Sequence, residues 1–169
     1  MLRNTRVLKL HVAIAAALAL TALAASAAFA LTSPTQTREG YVAQVEPICK
    51  QNTKANEQIL AGVRKQIKQG KLDAAAGKFG KAATAFAKAV RQLKAVPQPA
   101  ADAAKLTKWL GILDDETKLL REIGKALAAG NKGKVQMLYV RLTHNGNLAN
   151  NAVLGFDFDH CLIESSKFE

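Results

Sequence analysis

The sequence predicts an all-α protein: an antiparallel up-down-up-down four-helix bundle, its first helix kinked at Pro47 and preceded by an N-terminal signal or anchor helix. Three observations predict it. Apolar residues recur at three- and four-residue spacing in four separate segments, one buried stripe per helix. Three short connections carrying Gly or Pro join those segments, which favours antiparallel neighbours. The only two cysteines, Cys49 and Cys161, lie near the beginning and the end of that helical array, ends that such a topology brings to one pole.

The chain opens with Arg3, Arg6 and Lys9, runs uncharged from Val12 to Ala25, and reaches Ala28 and Ala30, an A-x-A cleavage signature. Residues 1–30 therefore read as a signal peptide for export. The alternative is an uncleaved anchor, since residues 12–31 are about long enough to cross a bilayer. In that case alone would the chain touch a membrane through this segment. No cysteine follows the apolar run until Cys49, so a lipid-anchored lipoprotein is not expected. Residues 31–37 read as a linker, 38–157 as the bundle, and 158–169 as a tail tied back by Cys161. An extracytoplasmic or secreted chain meets an oxidising compartment, where Cys49 and Cys161 are expected to pair.

In the first helix the register passes through Val45, Ile48, Cys49, Ile59, Leu60, Val63 and Ile67 and stops near Gly70. Ser33 to Gln36 offers a capping box, and Pro47 removes a donor inside the pattern, so a kink or a fresh start is expected there. The second helix buries Leu72, Ala75, Phe79, Ala82, Ala83, Phe86, Val90 and Leu93. Its other faces carry Lys78, Lys81, Lys88, Arg91 and Lys94. Val96 to Pro99 ends it. The third begins at Asp102, a suitable N-cap, and buries Leu106, Trp109, Leu110, Leu113, Leu120, Ile123 and Leu127, with Asp114 and Lys118 as an exposed i,i+4 pair. Gly130 to Gly133 breaks the chain again. The fourth runs from Val135 to Phe156 through Leu138, Leu142, Ala149 and Val153, and Asn145 falls on its apolar seam. A buried Asn must find hydrogen-bond partners.

Charge is uneven. The formal net charge is +11, and removing the three basic residues of the signal leaves +8. Eleven Lys and Arg fall between Lys50 and Lys94 against Glu57 and Asp73, whereas Asp157, Asp159, Glu164 and Glu169 make the end acidic.

Tyr41-Val42-Ala43-Gln44, followed by Ile48-Cys49-Lys50, resembles the opening of small exported helical proteins of high-GC Gram-positive bacteria. Gly155-Phe156 through His160-Cys161 is similar to their closing cysteine segment. The resemblance implies export and a helical bundle, and carries no assigned function.

Four patterns bear on chemistry. Gly155-Phe156-Asp157-Phe158-Asp159 is similar to the aspartate motif of haloacid-dehalogenase-type phosphatases, but too little chain follows it and no strand-helix alternation surrounds it. His144, His160, Asp157, Asp159 and Cys161 are metal-ligand types without helical metal-site spacing, and C-x-x-C-H is absent, so no metal or cofactor is expected. A non-catalytic role follows. The basic residues Lys78, Lys81, Lys88, Arg91 and Lys94 suit contact with an anionic envelope polymer, lipid head groups or an acidic protein, unless they serve solubility alone. Nucleic acid is not an expected partner, because no aromatics interleave them. Finally, Asn52, Asn56, His144, Asn145, Asn147 and Asn151 can line an interior pocket for a small ligand, or form a polar layer that fixes helix register.

Overall fold

The computed structural model describes residues 36–164, and within them the chain is all helical, with four long helices packed together. The expected signal or anchor over residues 1–30 lies outside the described residues, as do Ser33 to Thr35 of the expected capping box. Helix α1 (Arg38–Leu60) opens instead on Thr37, whose side chain accepts the Gly40 N–H at 3.0 Å. A short α2 (Val63–Lys68) continues it, followed by α3 (Leu72–Ala95), a 3-10 turn (Ala100–Asp102), α4 (Ala103–Ala128) and α5 (Lys132–Ala152). Among the described residues no helix is long and apolar enough to cross a membrane.

Three local expectations are corrected. No helix starts at Pro47: α1 runs through it, because Tyr41, Val45 and Cys49 are buried on both sides of the proline and packing offsets the lost donor. The interruption falls at Ala61 and Gly62, where Gly62 takes a left-handed φ of 72°. A second correction concerns surface charge. Lys118 pairs with Asp115 at 2.8 Å, whereas Asp114 reaches across to Lys94 on α3. Asp102 stands at the start of α4 as expected, yet its side chain makes no cap there. Its carboxylate accepts two bonds from Arg38, at 2.9 and 2.6 Å, and that guanidinium holds the Asp102 carboxyl below its ordinary range.

The packed pairs are α1 on α3, α3 on α4 and α4 on α5, with α2 against α3. Named contacts join opposite ends of neighbours: Gly124, late in α4, lies against Ala76 and Gly80, early in α3. Two apolar clusters result. One gathers Tyr41, Val45, Cys49, Val90, Leu106, Trp109, Ala149 and Val153 with Phe156 and Phe158 of the tail. The other gathers Leu60, Val63, Ala75, Ala82, Ile123, Leu127 and Leu138. Between them α1, α4 and α5 each place a buried polar residue: Asn56, Glu116 and Asn145.

After α5 the chain turns back over the first cluster. Asp157 takes φ 53°, and the residues around it, Phe156 and Phe158, turn inward; Phe158 stacks on Phe156 and on Trp109, with centroids 5.4 and 5.5 Å apart. Burying each ring contributes on the order of 2–3 kcal/mol. Arg38 lies over Phe156 and donates to the Gly155 carbonyl. The Glu46 carboxylate accepts the Asp159 and His160 N–H groups, and Asn150 exchanges two bonds with the backbone of Ile163. Cys161 closes the path by bonding Cys49, with Cα atoms 4.9 Å apart. The expected disulfide is thus present.

Candidate functional site

Helices α1 and α5 are the pair that a fully closed four-helix array would bring together, and they are absent from the packed pairs. A cleft of about 560 Å³ lies there. Its formation follows from the chain. The tail bridges from α5 to α1 at one pole through Cys161, and the α1–α2 break lets the chain bend at the other.

Each wall is one helical face. From α1 come Cys49, Asn52, Thr53, Asn56 and Leu60, continued by Val63 and Ile67 of α2. From α5 come Val135, Gln136, Tyr139, Leu142 and Thr143. The floor is built by Phe79, Phe86 and Val90 of α3 and by Trp109, Leu113, Glu116, Leu120 and Ile123 of α4. Asp159, His160 and Leu162 bound the disulfide end, and Gly130 and Lys132 the far end. This size and a mostly apolar lining with few polar groups suit a small-molecule site.

The polar groups cluster midway. Asn145 donates through Nδ2 to the Ile112 carbonyl at 3.0 Å and to Glu116 Oε2 at 2.6 Å. Asn56 Nδ2 donates to Asn52 Oδ1 at 2.9 Å, while Asn56 Oδ1 is buried with no partner. The indole N–H of Trp109 is likewise buried and unpartnered. Glu116 is 5% exposed, and burial pushes its carboxyl up to about 7, with the Asn145 bond opposing that shift.

Six residues were expected to share an interior site, and the structure divides them. Asn52 and Asn56 line the cleft. Asn145 is buried behind it, holding Glu116. His144, Asn147 and Asn151 do not enter: all three are exposed and outside the lining, since a helix turns about 100° per residue and carries neighbours of a buried residue to other faces. Glu116 was missed. It stands three residues after Leu113 and four before Leu120, so a carboxylate on the apolar register was the available signal.

Of the basic residues, Lys81, Lys88 and Arg91 share a shallow strip on the outside of α3 with Gly77, Gly80, Thr84 and Ala85. The other two are engaged within the molecule: Lys78 donates to the Ala61 carbonyl and Lys94 pairs with Asp114. Asp157 and Asp159 lie on the non-helical tail rather than at a strand end. Among the described residues no group of three or more His, Cys, Asp or Glu is placed to hold a metal ion.

Comparison with known protein families, with curated proteins and with solved structures finds no match to this chain.

Proposed function

We propose that this chain is an exported, non-catalytic carrier or sensor, an up-down-up-down bundle that holds an elongated, mostly apolar small molecule between its first and last helices. The observation that carries this reading is the cleft itself. Two helix faces that a closed four-helix array would bring together instead stand on either side of about 560 Å³ of space, with buried polar atoms left unpartnered along it. An occupant would bury those walls and satisfy those atoms. The disulfide is in keeping with an oxidising, extracytoplasmic location.

Native mass spectrometry of protein recovered from its own envelope tests the reading. The expected mass is that of a chain beginning at Leu31, two hydrogens light for the Cys49–Cys161 bond, with an apolar small molecule retained. A ligand-free mass, together with no binding of a neutral apolar dye, would overturn it.

A second reading has its own observation. Lys81, Lys88 and Arg91 lie along one strip whose small residues leave the three cations prominent, a surface suited to anionic polymer or lipid head groups. Cosedimentation with anionic vesicles that falls steeply with salt is expected; absence of binding at low salt would remove it.

A further inference from the structure

Resting on the carrier reading, the middle of the cleft narrows the chemistry of the occupant. The polar groups midway along the cleft leave two acceptors open, beside one unpartnered donor, the Trp109 indole N–H, whose ring stacks on Phe158 toward the disulfide end. Asn145 spends its amide on the Ile112 carbonyl and on one oxygen of Glu116, and Asn56 gives its amide to Asn52. The open acceptors are the buried, unpartnered Asn56 Oδ1 and the second oxygen of Glu116, whose hydrogen bond to Asn145 engages Oε2 alone. Both residues line the cleft, and both are 5% exposed. Asn56 Oδ1 needs a proton donor, and Glu116 is a carboxyl group that no cation pairs among the described residues.

We propose that the ligand is a cationic amphiphile, an apolar chain bearing a protonated amine that docks on Glu116 and Asn56. The two apolar clusters on either side of the layer receive the chain, and the amine supplies up to three donors and the missing positive charge. A hydroxyl would satisfy one acceptor and leave the carboxylate uncompensated. A fatty carboxylate would set like charges together in an apolar surrounding. The basic residues of the lining, Arg64, Lys132 and His160, form no ion pair with Glu116, whose hydrogen-bond partner is Asn145. No protein cation therefore occupies the role assigned to the ligand.

The test is a calorimetric titration of the mature protein with dodecylamine, dodecanol and dodecanoate, each kept monomeric, alongside a neutral naphthyl dye. Near pH 8, where Glu116 is mostly ionised, the amine is expected to bind at least about tenfold more tightly than the alcohol. That preference is expected to collapse in a folded Glu116→Gln variant, and in the wild type near pH 5, where Glu116 is protonated. The wild-type pH comparison stands even if the variant does not fold. Equal affinity of amine and alcohol, or tightest binding of the carboxylate, would overturn the amine assignment and leave the carrier reading intact. Failure of every chain and of the dye to bind would overturn the carrier reading and this assignment with it.

Discussion

Asn145 on α5 donates its amide to the Glu116 carboxylate on α4 over 2.6 Å, at the level where the two apolar clusters of the bundle part. The bond ties two helices in register and orients a buried carboxyl group. Its energetic cost depends on pH. Burial raises the Glu116 carboxyl from its ordinary 4.5 to about 7, so on raising the pH the unfolded chain releases this proton before the folded one does. The contribution of Glu116 to stability is therefore complete below about pH 4.5 and lost as the pH rises through about 7. That span corresponds to at most roughly 3 kcal/mol. Glu116→Gln, which can still accept from Asn145, is expected to match the wild type in urea unfolding near pH 4.5 and to exceed it near pH 8. Parallel pH profiles for the two proteins would count against the buried carboxyl.

The Cys49–Cys161 bond spans 112 residues, so its removal releases a large loop. Cys49→Ser with Cys161→Ser is expected to lose up to about 4–5 kcal/mol in urea unfolding, the chain-entropy value for a loop of that length. The fold should persist, because Glu46, Asn150 and the stacked Phe156, Phe158 and Trp109 also hold the tail. An unchanged unfolding midpoint would show that the tail does not strap α5 to α1.

Two glycines separate helix propensity from close packing. Gly111 lies mid-helix with open space where a Cβ would go, so Gly111→Ala should stabilise by up to about 1 kcal/mol. A Cβ on Gly124 would lie 3.2 Å from the Ala76 carbonyl oxygen and 3.5 Å from Phe79 Cβ. Gly124→Ala should therefore destabilise, on the order of 1 kcal/mol, by pushing α3 and α4 apart. Thermal unfolding of the two variants reads the difference directly. Equal gains would mean that the α3–α4 crossing has slack.

On the outer face of α3, reversing Lys81, Lys88 and Arg91 to Glu should abolish cosedimentation with anionic vesicles at low salt. Lys78→Glu with Lys94→Glu should reduce it far less, since both lysines are already engaged within the molecule. Equal losses from the two sets would assign the effect to net charge rather than to the strip.

Much of this architecture is legible in the sequence, and its gaps have physical causes. Apolar periodicity marks the four long helices because each must bury one stripe, and two cysteines have one intramolecular pairing open to them. Asn145 can be placed in the interior because it falls on the seam of α5. His144, Asn147 and Asn151 are its neighbours along the chain but not around the helix, and so face solvent. Pro47 is a poor guide to the break in α1: local propensity is overridden where Tyr41, Val45 and Cys49 pack together, and yields at Gly62. Glu116 was available as a charged residue on an apolar register, but its pairing with Asn145 depends on which helices are neighbours. The separation of α1 from α5 is a distance between elements, and no spacing within either helix encodes it.

The central claim is that this separation accommodates a ligand, and a fluorescence titration with a neutral naphthyl dye tests it most directly. Wild-type protein is expected to give saturable one-to-one enhancement that dodecylamine displaces. Ala89→Phe, on the α3 floor of the cleft, and Leu142→Trp, on its α5 wall, are each expected to abolish it while retaining the helical circular dichroism of the parent. No saturable enhancement in the wild type, or undiminished binding by both filled variants, would contradict the account.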